Sequence, residues 1–98
     1  MYGLVFYLNK EKLIASYKKE SHKEAYEDIR NVLRHFGFHW LSNSFYFSRS
    51  LNALLQTYKA IEELKNFAWF KESLVSFHIF KMEDLSNFTE YITGEEEK

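Results

Sequence analysis

The side chains best able to take or give a proton near neutral pH are four histidines, His22, His35, His39 and His78, and no cysteine accompanies them. Without cysteine there are no disulfides and no thiolate zinc sites. His35 and His39 are four residues apart, a spacing that puts two imidazoles on one face of a helix. Gly37 lies between them and is expected to end that helix, so His39 falls on the next strand and a structural metal site is not expected. His22 reads as a solvated first-turn residue. His78 lies in an alternating segment on the side of Phe80 and Met82, where the plainer reading is an interface histidine with one hydrogen bond. The only aspartates are Asp28, beside Glu24, Glu27 and Arg30 on a solvated helix face, and Asp84, which reads as a cap. A magnesium-dependent phosphodiesterase needs carboxylates around its metal. The strand ends offer Asn9 and Glu83 and little else. Gly3, Gly37 and Gly94 are the only glycines, too few for a glycine-rich phosphate cradle. No Gly-x-Ser-x-Gly element or Ser/His/Asp order is present. Aromatic and basic residues interleave in Ser44-Phe45-Tyr46-Phe47-Ser48-Arg49, as in sheets that stack RNA bases on strand aromatics. Core or interface packing is the plainer reading of the same rings.

These residues must be held by elements that the hydrophobic pattern marks out. Tyr2–Leu8 is aromatic and β-branched and reads as a buried strand ended by Asn9, with Leu4 and Phe6 on one face and Val5 and Tyr7 on the other. Residues 10–20 read as a mobile connection or one short helix around Leu13, Ile14 and Tyr17. Ser21 and Glu24 fit a capping box for a helix over about 22–36, with Ala25, Ile29, Val32, Leu33 and Phe36 on its buried face and Gly37 as its left-handed cap. Phe38–Leu41 and Ser44–Ser48 form a hairpin around Ser42-Asn43, with a weak turn signal. Ser50 caps a second helix ending near Asn66, whose core face is expected to be Leu51, Leu54, Leu55, Tyr58, Ile61, Leu64 and Lys65. Phe67–Phe70 reads as a loop plug. Leu74–Met82 alternates as a strand, with Val75, Phe77 and Ile79 on one side and Ser76, His78, Phe80 and Met82 on the other. Asp84 is expected to cap a last turn carrying Leu85, Phe88 and Ile92.

The order β-α-β-β-α-β is the ferredoxin-like plan of the α+β class, a four-stranded antiparallel sheet with two helices on one face. Strands one, three and four carry large apolar residues on both faces, in the pairs Phe6 and Tyr7, Phe45 and Tyr46, Phe77 and Phe80. A half-solvated sheet shows polar residues on one side. The second face is therefore expected to be buried, most simply against a second copy in a homodimer.

At 98 residues, 46% hydrophobic and 28% charged, the chain has the size and composition of one soluble domain. That domain is expected over 1–93, followed by an acidic, disordered tail over 94–98. Net charge is −1, but before position 95 there are 12 basic against 11 acidic residues. A near-neutral body argues against strong non-specific DNA binding by counterion release and leaves room for a small RNA contact. No apolar run approaches the ~20 residues needed to cross a bilayer, and no basic stretch precedes the apolar start, so a cytoplasmic protein without membrane attachment is expected.

The N-terminal Met1-Tyr2-Gly3-Leu4-Val5-Phe6-Tyr7-Leu8 resembles the start of the virulence-associated protein D (VapD) family, usually Met-Tyr-Ala-x-x-Phe-Asp-Leu. Ala25-Tyr26-Glu27-Asp28-Ile29-Arg30, Gly37-Phe38-His39-Trp40, Ser44-Phe45-Tyr46, Trp69-Phe70-Lys71-Glu72-Ser73 and Phe80-Lys81-Met82-Glu83-Asp84 follow in the family's order. The match runs from residue 1 to about 88. The resemblance implies a ferredoxin-like homodimer similar to the CRISPR-associated protein 2 family. It also implies an endoribonuclease, often the toxin of a toxin–antitoxin pair, so RNA and an antitoxin protein are the partners it points to. The chain departs from the family at three places. The aspartate held responsible for catalysis or metal binding is Tyr7, the Gln-Gly before the serine at Ser44 is Ser42-Asn43, and an aspartate usual in the fourth strand is Ser76, with His78 near it. A phenol, with a pKa of about 10, is mostly neutral at pH 7 and cannot replace aspartate as a hard anionic magnesium ligand.

Three functions follow. The first is an RNA-cleaving toxin without a cofactor. The RNA 2′-hydroxyl attacks the neighbouring phosphate while a base takes its proton and an acid protonates the leaving oxygen. His78 or His39 would be base or acid, Tyr7 and Tyr46 donors, and Asn9, Ser44 and Arg49 RNA contacts. The second is a non-catalytic dimeric module binding RNA or protein. The third, ranked last, is a magnesium nuclease built on Asn9 and Glu83.

Overall fold

Four short strands with alternating burial build the sheet in the computed structural model, which describes residues 1–17 and 21–94. In chain order the elements are β1 (Tyr2–Leu8), α1 (Lys10–Ser16), α2 (Lys23–His35), β2 (His39–Ser42), β3 (Phe45–Ser48), α3 (Ala53–Leu64), α4 (Ala68–Ser73), β4 (Leu74–Lys81) and α5 (Thr89–Thr93). The strands lie in the order β2-β3-β1-β4, all neighbours antiparallel. This is the ferredoxin-like sheet, with three short helices added to the expected plan.

Leu4, Phe6 and Leu8 of β1, Tyr46 of β3, and Phe77 and Ile79 of β4 line one face and pack under α2 and α3. From α2 come Ala25, Ile29, Val32 and Leu33. Leu4, Leu13, Ile29, Leu33 and Leu64 are wholly buried, each worth about 1.5–3 kcal/mol relative to exposure. Four aromatic rings, Tyr26, Tyr46, Phe70 and Phe77, surround Phe6 at centroid distances of 6.2–6.5 Å.

The helix ends depart from expectation in detail. Ser21 Oγ accepts from Lys23 N at 3.2 Å, so the reciprocal box with Glu24 does not form. Gly37 has φ +89°, the left-handed region that ends α2 as its position predicts. The hairpin turn is centred one residue later than expected, on Asn43-Ser44, because Ser42 pairs with Phe45. Asn43 takes φ +48°, which asparagine tolerates better than most residues. Residues 10–16 form a helix capped by Asn9, and Phe67–Phe70 enters α4 rather than a loop, with Phe70 buried. Asp84 bonds only to Leu85 N, whereas Asn87 caps the turn before α5, where Phe88 and Ile92 stay exposed. Gly94 closes α5 in a left-handed conformation. The rest of the expected tail, 95–98, lies outside the described residues.

The largest correction concerns α3. It buries Ala53, Thr57, Ala60 and Leu64 and exposes Leu54, Leu55 and Tyr58, while Leu51, exposed, lies ahead of the helix. Both sets recur at helical spacing. The small residues allow α3 to pack closely on α2, and Thr57 Oγ1 satisfies itself by donating to Ala53 O at 2.8 Å. Among the described residues no helix is long and apolar enough to cross a membrane.

Candidate active site

Strand parity divides the expected site residues between two faces. On the face away from the helices, register places His39, Phe47, Gly3 and Phe80 in one row, Phe45, Val5 and His78 in the next, and Tyr7 beside Ser76 in a third. Phe80 crosses the sheet centre because Gly3 has no side chain; a Cβ there would lie 2.6 Å from the Phe80 ring. The ring meets Phe45 edge-on at 5.9 Å.

Tyr7 is 64% exposed at the end of β1. It borders a shallow cleft of about 410 Å³ lined by Val5, Tyr26, Asn43, Ser44 and Phe45 among others, with no carboxylate in the lining. His78 lies diagonally across from Tyr7, one row along on β4. Such diagonal neighbours are about 7–8 Å apart, room for one phosphate between phenol and imidazole. Ser44 flanks the cleft on the β3 side. Its carbonyl accepts from Phe6 N at 3.4 Å, which fixes the backbone that carries the hydroxyl. Tyr7 and Ser44 thus share the cleft, Ser44 on the side of Tyr26 and α2, while His78 lies outside its lining, on the other side of β1.

The other expected residues do not join them. Tyr46 is 2% exposed on the helix-covered face. Burial pushes its phenol up, while a hydrogen bond from Arg30 and that cation's charge work the other way. His39 packs on Phe47 at 5.5 Å on the open face. It stands two strands and four residues from Tyr7, roughly 16 Å at standard sheet spacings. Arg49 lies over the Phe47 ring at 5.1 Å, at that same far end. Asn9 is beside Tyr7 in sequence, but its Oδ1 accepts from Lys12 N at 2.9 Å as the cap of α1. Glu83 follows β4 at the end of the sheet where β1 begins, since Met82 N donates to Met1 O. Antiparallel pairing therefore sets Asn9 and Glu83 at opposite ends, more than roughly 20 Å apart, so they cannot share a metal ion within one chain. Among the described residues no three histidine, aspartate or glutamate side chains converge as a metal-holding set.

One cleft residue, Tyr26, was not foreseen. It projects from α2 over the end of β1, and burial, followed by the nearby Tyr7 phenol, pushes its own phenol up. Two phenols thus share this end of the sheet. The signal for it in the sequence is the i, i+4, i+8 series Tyr26, Arg30, Arg34 on one side of α2.

An open-faced four-stranded antiparallel sheet under helices, with two phenols and a serine at a carboxylate-free cleft, defines a small α+β protein of the ferredoxin-like plan. No family profile matches the chain. Among curated proteins it is similar to Endoribonuclease VapD of Helicobacter pylori, 43% identical over 93 residues, covering 94% of this chain and 98% of that one. It is 38% identical over 97 residues to Endoribonuclease VapD of Dichelobacter nodosus, covering 96% and 99%. The Haemophilus influenzae protein of that name is 30% identical over 92 residues, covering 94% and 98%. The chain belongs to the VapD family.

Proposed function

We propose that the chain is an endoribonuclease of VapD type that cleaves RNA by attack of the 2′-hydroxyl on the adjacent phosphate, without a metal ion. The observation that carries this reading is the exposed Tyr7 at the end of β1, beside a cleft with no lining carboxylate and with His78 diagonal to it on β4. His78 takes the 2′-hydroxyl proton, imidazole being the side chain suited to that task near neutral pH. As the P–O5′ bond breaks, the Tyr7 phenol hydrogen-bonds the leaving 5′-oxygen, which takes its proton from water, and the Ser44 hydroxyl donates a hydrogen bond to a non-bridging oxygen. Tyr26 narrows the cleft and supplies a second neutral donor.

The chain acts as a homodimer joined through the open face. Val5, Phe45, Phe47 and Phe80 form an apolar surface there that the helices do not cover, and an apolar patch of this kind marks an interface. Tyr7, at the end of the sheet, stays on the margin of such an interface, and His78, in the row of Val5 and Phe45, lies at the seam between the two copies. Family membership supports a toxin role with an antitoxin protein as partner. The test is incubation of purified protein with total RNA, with and without chelator. Cleavage that persists in chelator is the expected result, and strict dependence on magnesium or manganese overturns the reading.

A further inference from the structure

We propose a second subsite for single-stranded RNA, on the groove between α2 and the edge strand β2, where the Arg30–Trp40 pair stacks on a base and Arg34 binds the phosphate beside it. The proposal rests on RNA being the substrate and extends the site beyond the Tyr7 cleft. A hollow of about 290 Å³ there is lined by Arg30, Arg34, Phe38 and Trp40, together with His39, whose ring packs on the other face of the sheet. No carboxylate is in that lining.

Trp40 is a fixed platform. Its indole N–H donates to Asn43 O at 2.8 Å, which locks the ring against the hairpin turn. The Arg30 guanidinium lies 4.2 Å from the ring centroid. Even so, Trp40 remains 46% exposed, because β2 is the edge strand of the sheet. Bases stack on both indole and guanidinium planes, whatever their sequence.

The charges also fit. Arg30 and Arg34 are like charges at i, i+4, an arrangement that weakens an isolated helix. Glu27 answers only the first, at 3.5 Å. Among the described residues Arg34 is in no ion pair, and the buried Arg30 Nε has no hydrogen-bond partner. A phosphodiester supplies the partner that Arg34 lacks, since guanidinium groups match phosphate oxygens in planar pairs.

The groove and the cleft are separate hollows on either side of the hairpin turn. Tyr26, Arg30 and Arg34 occupy successive turns of α2, about 6 Å apart. Asn43 lines the cleft with its residue and anchors Trp40 with its carbonyl. A strand leaving Tyr7 and Ser44 passes the turn and meets Trp40, Arg30 and then Arg34.

The experiment is fluorescence anisotropy with a labelled 2′-O-methyl oligonucleotide of roughly ten residues, which cannot be cleaved through its 2′ position, alongside a dinucleotide of the same chemistry. Arg34→Glu should weaken binding of the long probe at least tenfold at low salt and leave the dinucleotide unchanged. Arg34→Ala should lower the salt slope by about 0.7. Trp40→Leu should also weaken the long probe, but it removes the hairpin anchor, so the Arg34 variants decide. An unchanged affinity and slope for both Arg34 variants, or a wild type that does not bind the long probe, overturns the subsite. Arg34-dependent binding by a protein that cleaves no RNA supports the subsite and removes the ribonuclease reading. Normal cleavage with Arg34-independent binding does the reverse.

Discussion

Replacing Tyr7 by phenylalanine removes one oxygen and keeps the ring. Tyr7 is 64% exposed and its hydroxyl has no hydrogen-bond partner among the described residues. The substitution therefore leaves no buried group unpaired, and stability should change by no more than about 0.5 kcal/mol. Its effect on cleavage should be much larger. A single hydrogen bond aimed at charge developing in the transition state is worth about 100- to 1,000-fold in rate, or about 2.7–4 kcal/mol. Single-turnover cleavage of an end-labelled oligoribonucleotide, with thermal melting and sedimentation as controls, separates the two effects. The expected result is a loss of that size with fold and assembly intact. A Tyr7→Phe protein that cleaves at the wild-type rate refutes the donor role and shifts it to Tyr26, the second phenol in the cleft.

On α3, Leu64→Ala should cost about 2–5 kcal/mol in urea unfolding, as for a wholly buried leucine, whereas Leu55→Ala on the exposed stripe should stay within about 0.5 kcal/mol; the reverse order would mean the helix is turned the other way. Phe80→Glu should convert the proposed dimer to a folded monomer by sedimentation, while Phe77→Asp, on the helix-covered face, should unfold the chain; a well-folded wild-type monomer at micromolar concentration removes the proposed interface. Tyr17 gives the pH dependence. Burial first, and then its hydrogen bond of 2.8 Å to the Asp28 carboxylate, push the phenol up to about 12. Unfolded, it loses its proton near 10. Above pH 10 the unfolded chain binds fewer protons, so this contribution is complete below 10 and is lost as pH rises toward 12. Melting temperatures between pH 9 and 12 should fall more steeply for wild type than for Tyr17→Phe.

Much of this architecture was legible because strands announce themselves by parity. Alternation in Tyr2–Leu8 and Leu74–Lys81 placed Tyr7 and His78 on one face and Phe6 and Phe77 on the other, as found. The same rule puts Tyr46 under the helices once its register with Leu4 is known, but register is a pairwise property that a single strand does not carry. That is also why His39 and Arg49 were grouped with Tyr7 from which the sheet separates them. Asn9 and Glu83 are a different case: each ends a strand, and the antiparallel plan alone sets them apart. The α3 face was misread because two helical stripes compete there. Hydrophobicity favours the leucines, but close packing on α2 selects the alanines and Thr57. The six-residue α4 has no side-chain cap to signal it, and burial of Phe70 holds it in place.

The central claim is that RNA is cleaved through its own 2′-hydroxyl by neutral donors and an imidazole. It is tested most directly by identifying the ends produced when the purified protein cuts a defined oligoribonucleotide in excess chelator. A 2′,3′-cyclic phosphate with a 5′-hydroxyl, and no cleavage when the 2′-hydroxyl at the cut site is removed, is the predicted result. Products ending in a 5′-phosphate, formed only after magnesium is restored, would contradict it.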